Sequence, residues 1–219
     1  MGRRIDIRDS TSTVRSVRAA LTGCRAAARL TAAALVASAL VASALVTGRA
    51  SAQESGSFTL ASPDLQPGGP VPDTFVLNAY GCKGGNQSPA LEWHGAPAGT
   101  RSFVITVFDG DERNSGSGWW HWVVYDLPAS ATQLPRGAGA ERSRTLPTGT
   151  NQGRTDLGTD AYHGPCPDVG DPPHHYVFSV YALSVARLDV PPESSGAMVT
   201  ATAKPAVLAK ATLTVRYGR

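Results

Sequence analysis

The sequence predicts a mostly β chain built as a two-sheet antiparallel β-sandwich or an allied Greek-key sheet. Short runs of β-branched and aromatic residues recur, Gly and Pro clusters separate them, and helical periodicity is scarce. The strongest strand candidates are Ser102–Phe108, Trp119–Tyr125 and Tyr176–Leu183, each bounded by Gly, Pro or Asp. Weaker candidates lie at 57–60, 74–78, 91–93 and 212–217. Turn chemistry between them is explicit at Gln66-Pro-Gly-Gly-Pro70, Ala96-Pro-Ala-Gly99, Gly164-Pro-Cys-Pro167 and Asp171-Pro-Pro173. One short helix is expected over Ser194–Ala203, capped by Ser194 or Ser195 and limited by Pro205. The stretch 134–149 reads as a long irregular excursion.

The leader decides the electrostatics. An arginine-studded segment precedes the Ala/Leu/Val run Leu30–Val46, and Ala50-Ser51-Ala52 has the small-x-small pattern that signal peptidase cleaves. Residues 1–52 are therefore expected to be a signal peptide and 53–219 one domain, exported to a secreted or periplasmic location with no stable membrane insertion after cleavage; an uncleaved transmembrane anchor is the competing reading, for which the Ala-rich run is slightly short. The full chain carries +3, but residues 1–52 hold eight Arg against Asp6 and Asp9, so the mature part is net −3. With only Lys83, Lys204 and Lys210 as lysines, it has no basic stripe for nucleic acid.

Cys82 and Cys166 are the cysteines that survive maturation. In an exported chain an even pair is a bridge candidate; two separately buried thiols are the other reading. Costly polar residues gather at the strand borders: Asp109 and Asp111 after one strand, His121 within the Trp-rich run, His174 and His175 before the third. Strict alternation sets His121 opposite both Trp120 and Trp122, facing a pocket if the tryptophans face the core and lying in the core if they do not. The turn from Gly164 to His174 is either a stiff ligand-approaching loop or an ordinary rigid turn. The histidines and Asp109 invite a metal reading, but their spacing matches no local zinc motif. No Gly-x-Ser-x-Gly elbow is present, so nucleophilic catalysis has no obvious carrier.

The ordered motifs resemble a known family. Gly84-Gly-Asn-Gln-Ser-Pro89, Leu91-Glu-Trp93, Ala96-Pro-Ala-Gly-Thr100, Val107-Phe-Asp-Gly-Asp111, Gly118-Trp-Trp-His-Trp-Val-Val124, Gly164-Pro-Cys-Pro167, His174-His-Tyr176 and the closing Leu208-Ala-Lys-Ala211 to Tyr217-Gly-Arg219 resemble the phosphatidylethanolamine-binding protein family, in its bacterial, Raf kinase inhibitor-like branch. The resemblance implies two antiparallel sheets with a few short peripheral helices, no cofactor and no metal. It also implies a small surface pocket for phosphate-like or carboxylate anions, phosphoethanolamine-type headgroups included. The matching ligand-binding positions are Asp109, Asp111, His121, Gly164, Pro165, His174 and Tyr176.

Three departures from the family pattern weaken the expected anion site. Gly110 replaces a proline between the aspartates, His175 stands where an arginine is usual, and Pro205-Ala206 replaces a Gly-His pair. The leading functional expectation is a non-catalytic binding protein. The competing one is a secreted protein-interaction module, such as a protease inhibitor, with a vestigial pocket; a hydrolase using His121 and His174 is the third. Any protein partner is unknown from sequence, and kinase inhibition does not follow for an exported chain.

Overall fold

The computed structural model describes residues 56–113 and 115–219. The expected signal peptide, residues 1–52, lies outside them. Eight strands form two antiparallel sheets. β1 (Thr59–Ala61), β2 (Leu91–His94) and β5 (Gln133–Leu134) make a three-stranded sheet in the order β1-β2-β5. β3 (Ser102–Asp109), β4 (Trp119–Pro128), β6 (Asn151–Gln152), β7 (His174–Leu183) and β8 (Val207–Tyr217) make a five-stranded sheet in the order β6-β4-β3-β7-β8.

Central β3 is an unbroken apolar run because both of its faces are covered. Phe103, Ile105 and Val107 join Trp93, Trp122, Phe178 and Leu213 in the core between the sheets. Val104 points the other way, into a second cluster with Val123, Leu183 and Val199. That second cluster lies under helix α1 (Gly196–Ala203), whose N-cap Ser195 accepts from the Met198 backbone N–H. Both Ser195 and the helix occur where the sequence places them. Among the described residues, no helix is long and apolar enough to cross a membrane.

Two local expectations are corrected. Residues 74–78 are not a strand: Asp73–Phe75 forms one 3-10 turn, and Phe75, Val76 and Leu77 are buried by side-chain packing rather than by a ladder. The irregular stretch from Leu134 onward starts with a strand residue, because Leu134 pairs with Leu91 to complete the smaller sheet.

A further correction concerns β4. Opposite β3, Phe108 pairs with Trp120 and Val107 with Trp122, so His121 is an extra residue in a β-bulge. The bulge breaks alternation. Trp120 packs against the outer cluster, Trp122 enters the core between the sheets, and His121 lies edge-on to the Tyr176 ring at 5.1 Å, on the same side as Trp122. Strict alternation placed the two tryptophans together, and one inserted residue separates them.

Candidate functional site

The ladder brings the site together. Asp109 closes β3, where it pairs with Trp119 on one side and Tyr176 on the other. Those three residues, with His121 two positions along β4, wall a cavity of about 310 Å³. The loop through Gly164, Cys166 and Pro167 forms the facing wall, with Leu77, Tyr80 and Arg219 completing it.

Asp109 is the hub. It is 2% exposed, and its Oδ1 accepts from the backbone N–H groups of Asp111 (2.8 Å) and Glu112 (3.2 Å). Its Oδ2 lies 2.7 Å from His174 Nδ1. A carboxylate has about four lone-pair sites, and three of them on Asp109 go to shaping the 110–112 turn and orienting the His174 ring. Burial, then the Asp109 charge, pushes the Tyr176 phenol well above its ordinary value, which keeps it a neutral hydroxyl.

His121 is 7% exposed, and its Nδ1 lies 2.8 Å from the His163 carbonyl. A carbonyl only accepts, so in the neutral ring Nδ1 carries the hydrogen and Nε2 keeps a lone pair. Burial lowers the His121 pKa to about 4, against the opposing pull of the His163 carbonyl and Asp109. In the unliganded protein this imidazole is therefore neutral near pH 5.5. A measurable consequence follows by linkage. Because the folded pKa lies below the ordinary 6.5, the unfolded chain takes the proton first. The contribution is intact above pH 6.5 and lost as pH falls toward 4, which amounts to about 3 kcal/mol. Urea titrations at pH 7.5 and 4.5 should show this loss in the parent and a flatter response in His121→Gln. Identical pH responses would remove His121 as the cause.

Gly164 and Pro165 serve the wall in different ways. A Cβ at Gly164 would sit 2.1 Å from the Phe75 carbonyl oxygen, so only glycine permits this approach between loops, and its N–H donates to Asn86 Oδ1 at 2.9 Å. Pro165 is buried behind the lining, where its carbonyl accepts from Leu77 N–H. Cys82 and Cys166 are joined by a disulfide with Cα atoms 6.0 Å apart. The bridge ties Cys166, a wall residue, to the loop that carries Tyr80.

Of the seven positions expected from sequence, Asp109, His121, Gly164 and Tyr176 line the cavity and Asp111, Pro165 and His174 do not. His174 stands behind Asp109, facing a smaller depression shared with Asp111, Asp171 and His175. Asp111 is half exposed and pairs with His175, whose ring and backbone hydrogen bonds hold that carboxyl below the usual carboxylate range. Among the described residues, no three His, Cys, Asp or Glu side chains are grouped to hold a metal.

Sequence reasoning missed Arg219. Its Nε donates to the Pro167 carbonyl and an Nη to the Tyr80 carbonyl, which places a guanidinium at the cavity and clamps two wall loops. Its signal was present in the Tyr217-Gly-Arg219 ending. Tyr80, Leu77 and Leu157 carried no signal, because nothing local distinguishes them from ordinary loop or core residues.

Fold and site together define a two-sheet β protein with a small, disulfide-braced cavity floored by an Asp–Tyr–His cluster. The family model described as phosphatidylethanolamine-binding protein matches residues 61–218, and this chain belongs to that family. It is 45% identical over 146 residues to the UPF0098 protein YbcL of Escherichia coli, spanning 67% of this chain and 79% of YbcL. The crystal structure of YbcL, described as a member of the mammalian PEBP family, superposes with a TM-score of 0.72 and covers 75% of this chain and 99% of that one. YbhB of E. coli is 44% identical over 72% of this chain and 98% of its own length. A Mycobacterium tuberculosis protein named as a lipoprotein, LppC, is 36% identical over 63% of this chain and 61% of its length.

Proposed function

We propose that this chain is an exported, non-catalytic binding protein whose cavity takes a small phosphate-like or carboxylate anion, with an amine-bearing phosphate such as phosphoethanolamine preferred over bare phosphate. The observation that carries the reading is the charge arrangement of the lining. Arg219 supplies a guanidinium suited to an oxyanion, while Glu112 and Asp168 on the same cavity favour a ligand that also carries a positive end. The neutral His121 suits a protonated ligand oxygen or takes up a proton when an anion arrives. Export is supported by the disulfide and by the likeness to LppC. The non-catalytic reading is supported by a lining whose cysteine is locked in the bridge and which contains no serine or threonine.

The test is calorimetric titration with phosphoethanolamine and with phosphate, on protein recovered outside the cell, whose N-terminus is expected at or near Gln53. Arg219→Ala removes a charged hydrogen-bond donor, for which about 1.5 to 3 kcal/mol, or about 10- to 150-fold in affinity, is typical. His121→Ala should weaken binding as well, whereas His94→Ala, at the exposed end of β2, should not. A bound anion raises the His121 pKa from about 4, so affinity should climb as pH falls through the bound-state value and level off below 4. No saturable binding of either ligand would favour the protein-interaction reading. That reading is motivated by Tyr80 and Val169, which are 73% and 78% exposed beside the cavity mouth.

A further inference from the structure

We propose that a second groove, on the outer face of the five-stranded sheet, binds an anionic amphiphile: an unbranched acyl chain ending in a carboxylate. The groove runs between the sheet and α1 and encloses about 750 Å³, within the range of small-molecule sites. Its floor is aromatic. Phe108 of β3 and Trp120 of β4 lie with ring centroids 4.5 Å apart, and Tyr181 of β7 continues the strip. All three rings are half-buried.

The floor is preformed. The bulge at His121 turns Trp120 to this outer face, and Gly196 at the start of α1 seats its indole: a Cβ there would lie 2.4 Å from Trp120 Cδ2. Across the groove α1 presents Ala197, Thr200 and Ala201, small side chains that leave the space a slender chain would fill.

Charge selects the head group. Lys204 and Lys210 are the charged residues of this lining, with no carboxylate among its members, although residues 53–219 are net acidic. They are two of the chain's three lysines. The Lys210 ammonium sits 5.1 Å from the Tyr181 ring centroid, at the edge of the aromatic strip. An apolar trough bounded by two exposed ammonium groups matches a ligand with one apolar tail and one anionic end.

The experiment titrates the exported protein with dodecanoate below its self-association concentration, followed by tryptophan fluorescence and calorimetry. Dodecyl maltoside supplies the chain without charge, and acetate the charge without chain. Dodecanoate should bind saturably at one site, at least tenfold more tightly than either control, and more weakly as ionic strength rises. Lys204→Ala/Lys210→Ala should weaken it at least tenfold. Ala201→Asp, an exposed change that adds a carboxylate to the wall, should do the same. Phosphoethanolamine in excess should leave dodecanoate binding unchanged. Failure to bind saturably, equal affinity in the variants, equal affinity for dodecyl maltoside, or displacement by phosphoethanolamine would each overturn the proposal.

Discussion

Replacing Cys82 and Cys166 together by alanine should lower the free energy of unfolding by about 4 to 5 kcal/mol in the chain-entropy model, given the 84-residue separation. At about 2 to 4 °C per kcal/mol for a domain of this size, the melting temperature should fall by roughly 8 to 20 °C. Calorimetry on the protein checks the shift, and thiol counting on the unfolded, unreduced chain should find none free. Two free thiols would remove the bridge. The effect should extend to ligand binding, because Cys166 is part of the cavity wall and its partner anchors the loop bearing Tyr80. A variant as stable as the parent would show that the Arg219 clamp and the Gly164 packing hold the two loops unaided.

Asp109→Ala should cost about 3 to 5 kcal/mol, the scale of leaving several hydrogen-bond donors without their acceptor at a buried site. The substitution leaves the backbone N–H groups of Asp111 and Glu112 and the His174 ring without their shared acceptor. Each orphaned buried donor carries its own desolvation penalty, which an exposed carboxylate would not impose. Asp109→Asn should cost less, since its amide oxygen can still accept from the two backbone groups. Urea denaturation of both variants separates the two predictions. If Asp109→Ala unfolds within about 1 kcal/mol of the parent, Asp109 is not the hub of the floor. The same variants should lose phosphoethanolamine binding in the order of their instability, as His174 and the 110–112 turn lose their common anchor.

Much of the architecture was legible because strand formation here depends on local pattern. The runs around Phe103, Val123 and Phe178 are β-branched and aromatic, and Gly or Pro marks their ends, so β3, β4 and β7 lie where expected to within a few residues. Ser195 was readable as a cap for the same reason. The segment 74–78 misled because Phe75, Val76 and Leu77 look like a strand locally, while the loop at Gly164 packs on their backbone instead of a partner strand. Motif order carried the candidate site as far as Asp109, His121, Gly164 and Tyr176. It could not separate cavity lining from support, so Asp111, Pro165 and His174 were grouped with them.

By itself, then, the sequence determined most of the sheet-forming segments, the presence of two cysteines and the acidic charge of the part after residue 52, and the resemblance in motif order picked out Asp109, His121, Gly164 and Tyr176. These follow from composition, alternation and motif spacing, all of which are written along the chain. The tertiary structure decided which way those residues face and how they titrate. A single bulge sends Trp120 outward and His121 inward, and burial then lowers the His121 pKa to about 4. Arg219 reaches the cavity from the far end of β8, and the Gly164 loop closes over it from more than fifty residues earlier. Register, desolvation and long-range approach arise only when distant segments pack, and no local pattern encodes them.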